Sequence, residues 1–185
     1  MSRRFAALFV AAAVSAPAWA DTMDNPTYAS WAKVKKGSSV TMKMTAEVAG
    51  QKSETTMTTT LVDLTADVAT TEMVMVTKAG GMEFKAEPIK TENKKVVELP
   101  PGKKKEDFAK PEGFVDQGEE TLKIGGKEYK TKWVKVKIEK DGSVYEAKTW
   151  SSDDVPGTMV KMETKSSGGG VKAATLLELV EIKKP

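Results

Sequence analysis

The sequence predicts a mainly β protein, an antiparallel meander of about nine strands forming a curved sheet or open half-barrel with one short N-terminal helix. Three observations predict it. Apolar and polar residues alternate with a period of two in run after run from Val40 to the end of the chain. The runs are separated by turn-forming pairs such as Gly125-Gly126 and Asp141-Gly142. One segment only, beginning at Asn25-Pro26, carries helix-start signals. A meander of this length has an apolar face to hide, and curling, closing or pairing sheets are the ways to hide it.

Taken in order, residues 1–20 read as a secretory signal peptide. Arg3 and Arg4 precede the apolar run from Phe5 to Val14, and Ala18, Trp19 and Ala20 supply the small-residue cleavage pattern. Cleavage after Ala20 is expected to leave a single β domain over residues 21–185, exported to the periplasm or the extracellular space, with no integral membrane span. A helix is predicted over residues 26–34, with Asn25 as N-cap, Pro26 at the first helical position and Tyr28, Trp31 and Val34 as its apolar stripe. The first strand, Ser38 to Val48, carries Val40, Met42, Met44, Ala46 and Val48 on one parity. Its hairpin partner is Ser53 to Leu64, with Met57 and Leu61 on one parity. Val68 to Lys78 and Met82 to Ala86 follow around Gly80-Gly81.

Residues 87–118 contain Pro88, Pro100, Pro101, Pro111 and the basic run Lys103, Lys104, Lys105, and read as irregular loop with one short strand at Val96 to Leu99. Regular strands resume with Glu119 to Ile124, Glu128 to Glu139, Val144 to Ser151 and Thr158 to Lys165. A flexible Ser166 to Gly170 link then leads to Val171 to Lys183, with Leu176, Val180 and Ile182 expected inward.

Absences narrow the chemistry. The chain has no His and no Cys, which removes Ser/His/Asp and Cys/His catalysis, ordinary zinc sites and disulfides. Of the 29 basic residues two are Arg3 and Arg4, leaving 27 lysines against 26 acidic residues from Asp21 onward. A domain so near neutrality and without arginine lacks the footprint of a nucleic-acid binder. The acidic doublets Glu119-Glu120 and Asp153-Asp154 are not ready acid/base pairs, because neighbours on a strand face opposite ways and the second doublet belongs to the Val155-Pro156-Gly157 turn. No enzyme activity and no cofactor are implied.

Methionine is the distinctive residue. Met42, Met44, Met57, Met73 and Met75 fall on predicted strands, and an adaptable thioether surface suits a pocket for flexible hydrophobic ligands as well as it suits a plain core. Met42/Met44 and Met73/Met75 are also M-x-M pairs, the soft donor set that selects Cu(I), yet core packing alone puts the first pair on the apolar parity of its strand. Trp133 and Trp150 are expected as cross-strand neighbours, with Tyr129 and Tyr145 beside them, holding the sheet together or lining a binding mouth.

Two segments, WAKVKKGS from Trp31 to Ser38 and KTWSSDDVPG from Lys148 to Gly157 leading into Val160 and Lys161, together resemble an uncharacterised family of exported proteins of planctomycete-type bacteria. The order of signal peptide, short helix and Thr/Lys-rich meander is similar, more distantly, to the half-barrels of periplasmic lipoprotein carriers. That resemblance implies a lipid or other hydrophobic small molecule held in a concave sheet face, and the reading of the residues themselves makes Met42, Met44, Met57, Met73, Met75, Trp133 and Trp150 the candidate ligand-binding residues. The competing expectation is a structural or interaction module with a solid core, meeting another envelope protein through a strand edge or the Lys103 to Lys105 loop.

Overall fold

The computed structural model describes residues 22–102, 105 and 110–185; the expected signal peptide and Lys103 and Lys104 lie outside the described residues. Among the described residues the chain runs β1 (Thr22–Asp24), α1 (Pro26–Trp31), β2 (Ser39–Val48), β3 (Gln51–Leu64), β4 (Val68–Ala79), β5 (Met82–Lys85), β6 (Ile89–Lys94), β7 (Val96–Glu98), β8 (Phe114–Ile124), β9 (Lys127–Lys140), β10 (Ser143–Ser151), β11 (Met159–Gly168) and β12 (Val171–Lys183). One ten-stranded antiparallel sheet has the order β5-β4-β3-β2-β12-β11-β10-β9-β8, with β6 beside β5 on the same edge of β4, and β1 pairs β7 separately. Two meanders are thus joined in the middle by the β2–β12 pair. The sheet is not closed, since β8 and the β5/β6 edge do not pair.

Local chemistry explains the regularity. At the β2–β3 and β9–β10 turns both central residues have positive φ, with Ala49 at 50°, Gly50 at 82°, Asp141 at 50° and Gly142 at 73°. Such turns match the twist of the strands they join. In α1 the Asn25 side chain accepts a hydrogen bond from the Thr27 amide at 3.0 Å. A helix of one and a half turns has no stability alone, and tertiary bonds hold it. The Tyr28 hydroxyl donates to the Thr65 and Ala66 carbonyls, and the Ser30 hydroxyl accepts from the Gly157 amide at 2.8 Å.

Several expectations are corrected. The helix ends at Trp31 rather than residue 34, because the Lys33 and Val34 amides close tight turns on the Ser30 and Trp31 carbonyls. The stretch expected as loop contains β6, which pairs with β4 from Ile89↔Met73 to Lys94↔Val68, and β8 begins at Phe114. β11 runs through the expected flexible link to Gly168. On β12 the residues turned into the core are Leu177 and Leu179, while Val180 is exposed; a bulge between Leu179 and Glu181 resets the parity so that Ile182 still faces Val40.

The buried cluster sits at one end of the sheet, uniting Tyr28 and Trp31 of the helix with Val40, Leu61, Ala69, Leu179, Val160, Val155, Trp150 and Tyr129. Curvature is visible at the same end. A Cβ on Gly125, in the β8–β9 turn, would stand 3.8 Å from the Val180 carbonyl of β12, although a flat sheet would hold strands four places apart about 19 Å from one another.

Candidate functional site

Strand register assigns the methionines to one face. Met42, Met57 and Met75 are successive cross-strand partners on β2, β3 and β4, with Leu179 beside Met42 on β12. The next row toward the hairpin turns is Met162, Leu177, Met44, Thr55 and Thr77, and the row toward the helix is Ile182, Val40, Thr59, Met73 and Ile89. All five predicted methionines therefore share a face, and all five are half-buried.

From the β5/β6 edge to β10 this face carries no charge between the turns, whereas on β8 and β9 the same face holds Glu119, Lys123, Lys130 and Lys132. From the β5/β6 edge across β4, β3, β2, β12 and β11 to β10, the residues between the turns whose register places them with the methionines are Val, Met, Ala, Leu, Ile, Phe, Tyr, Thr, Ser, Asn, Gln or Gly, and β9 adds Val134, Val136 and Ile138 together with Lys130 and Lys132. The opposite face takes the charges of the strands from the β5/β6 edge to β10, including the Lys43–Glu54 pair at 2.9 Å and Lys161 between Glu163 at 2.8 Å and Glu178 at 3.7 Å. Exposure follows the division on β3 but not on β9 and β10, where Tyr129, Thr131 and Trp150 of the opposite face are buried. Thr55, Thr71 and Ala147 on the Met face are buried although small. Their opposite-face neighbours Glu54 and Thr56 are exposed.

Coverage of the Met face is partial. Helix α1 lies at one end, where Thr27 and Trp31, with Pro156, Gly157 and Met159, border a cleft of about 260 Å³ floored by Val40, Met42, Thr59, Thr71 and Met73. Toward the hairpin turns no element covers it among the described residues. Six of the nine exposed large apolar residues, Val48, Met82, Phe84, Ile89, Tyr145 and Val171, share this face.

Trp133 and Trp150 are direct register partners, as expected, but on the other face. Trp150 also pairs with Lys161, whose neighbour Met162 is on the Met face, so the tryptophans and the five methionines do not form one site. Trp133 lies over Gly118, where a Cβ would come within 2.8 Å of the ring. The Lys148 ammonium stands 4.1 Å from the Trp133 ring centre and 4.4 Å from that of Trp150. The Glu120 carboxylate accepts hydrogen bonds from the Trp150 indole N–H and from Lys148. The indole bond first and Lys148 second hold the Glu120 carboxyl below its usual range. These are sheet-bracing contacts.

Two other depressions are more polar. One of about 580 Å³ lies among Glu119, Glu120, Lys130, Lys132 and residues 151–154, and one of about 650 Å³ lies at the hairpin ends of β2, β10, β11 and β12. Among the described residues no three His, Cys, Asp or Glu are grouped to hold a metal ion, and no helix is long and apolar enough to cross a membrane. Residue-by-residue reading of the sequence missed Leu177, Leu179 and Met162 as members of the face. The usable signal was that charges keep to one parity on β2, β4, β10 and β11, though not on β8 and β9.

No protein-family model and no curated protein matches the chain. Among solved structures, similarity is found to a protein described as a lipoprotein from Parabacteroides distasonis, 13% identical over 80% of this chain and 96% of that one, with a TM-score of 0.45. A second is a domain described as an outer membrane lipoprotein-sorting protein from Vibrio parahaemolyticus, 11% identical over 86% of this chain and 92% of that one, with a TM-score of 0.28.

Proposed function

We propose that the protein is an exported, non-enzymatic binding protein that holds a lipid or other hydrophobic ligand against its Met-rich sheet face. The observation that carries this reading is a sheet face that is uncharged from the β5/β6 edge to β10 and that, among the described residues, has the short helix over one end. Exposed contiguous apolar surface beyond a few hundred Å² is uncommon on a self-sufficient soluble domain and marks a place where something binds. Half-buried methionines suit ligands of variable shape, since three rotatable bonds and a polarizable sulfur let them repack. The acidic doublets give no support to catalysis. Glu120 is engaged by Trp150 and Lys148, and the Asp154 amide is tied to the Ser152 hydroxyl in a turn.

The test is native mass spectrometry of the full chain, purified gently from its own organism, followed by denaturing extraction. A stoichiometric lipophile, lost in the Met44→Glu variant while the circular dichroism spectrum is kept, is the expected result. A clean ligand-free mass would overturn the reading in favour of an envelope interaction module.

A further inference from the structure

The central Met row has a property that a merely greasy face does not need. Met42, Met57 and Met75 are consecutive register partners on three adjacent strands. Direct cross-strand partners hold their Cβ atoms about 4.5–5.5 Å apart, so both outer side chains can bring their sulfurs over the middle one. Met44 and Met73 stand diagonally to Met57 on the same face, about 7–8 Å away and still within reach of a long side chain. No other soft donor competes, because the chain has no Cys and no His. We infer that Met42, Met57 and Met75 form a binding site for a soft monovalent cation of the Cu(I)/Ag(I) class.

The chemistry of the row sets the charge as well as the softness. Thioethers are neutral and poor ligands for hard ions, whereas Cu(I) and Ag(I) accept an all-sulfur set. A divalent ion seated here would find no carboxylate, since register turns every acidic residue of β2, β3 and β4 to the opposite face. The monovalent ion costs less to bring onto a half-buried, uncharged surface. This site goes beyond hydrophobic-ligand binding and uses three residues of the wider face, so it can stand or fall separately.

The probe is silver(I), which is redox-silent, titrated into the full chain with native mass spectrometry and methionine methyl NMR as readouts. One ion per chain is expected, with the methyl signals of Met42, Met57 and Met75 moving most. Met57→Leu keeps volume and is expected to weaken binding at least ten-fold with an unchanged circular dichroism spectrum; Met75→Leu does the same should Met57→Leu misfold. Met82→Leu, on the exposed β5, is expected to bind as the parent does. Absence of saturable binding, binding unaltered in both row variants, or shifts spread evenly over all methionines would each overturn the site. A protein that carries lipid but no silver loses this site alone, and one that binds silver but carries no lipid keeps it.

Discussion

The two ends of the Met face have the same alternating pattern and opposite fates. At the helix end Val40, Leu61 and Leu179 are buried, whereas at the hairpin end Val48 and Val171 are 48% and 50% exposed. Val40 and Val48 even belong to one strand and one parity. The difference teaches that alternation specifies which way a side chain points, and that only a covering element decides whether it leaves water. Here that element is six residues long.

Mutations sharpen this contrast. Leu61→Ala, at a fully buried position, is expected to cost about 2–5 kcal/mol in urea unfolding, while Val48→Ala should stay within about 0.5 kcal/mol. Equal losses at the two sites would mean that the hairpin end is covered after all. Gly118→Ala drives a methyl into the Trp133 ring and should cost about 1–3 kcal/mol, with a shift in tryptophan emission as its signature. Asn25→Ala removes the cap on Thr27 and the bond to the Lys94 carbonyl at 2.9 Å, a loss of about 1 kcal/mol that would loosen the helix over the Met face.

A pH series tests the bracing on the other face. Because the folded Glu120 carboxyl lies below its unfolded value, its contribution is fully present above roughly pH 4.3 and is lost as pH falls through the folded value. The gap in Tm between the parent and Glu120→Gln should hold from pH 7 to pH 5 and close in more acidic buffer. A gap that widens with acid would contradict the indole and ammonium contacts. The smallest effect is a gain. Ala49 has a φ of 50°, so Ala49→Gly at the hairpin end should stabilise by up to about 1 kcal/mol.

Much of the sheet was legible because turn chemistry is local. Asp141-Gly142 and Gly125-Gly126 punctuate strands whose ends match the structure within a few residues, and Val171 to Lys183 is β12 itself. The misses share a cause in what lies across the chain. β6 is nearly all exposed, so no apolar period announces it, and only the β4 edge makes it a strand. The inward side of β12 was misread at Leu176 and Val180 because a bulge is a property of two paired strands. For the binding face, the methionines of β2 were readable from parity, but their alignment with Met57 and Met75 needed the register of three strands. The tryptophan pair was readable as a pair; its face depended on the β10–β11 pairing.

The β2–β12 seam has a consequence for how the molecule is made. Every other pairing in the large sheet links strands close in the chain, so each meander has short-range contacts that form quickly. The seam joins Val40 to Ile182 and closes by far the longest loop in the large sheet, the single most costly closure. Folding should therefore be two fast half-assemblies waiting on one slow meeting. Until β12 arrives, β2 presents an open backbone edge flanked by Met42 and Met44, and the nascent protein is most prone to wrong partners during that interval.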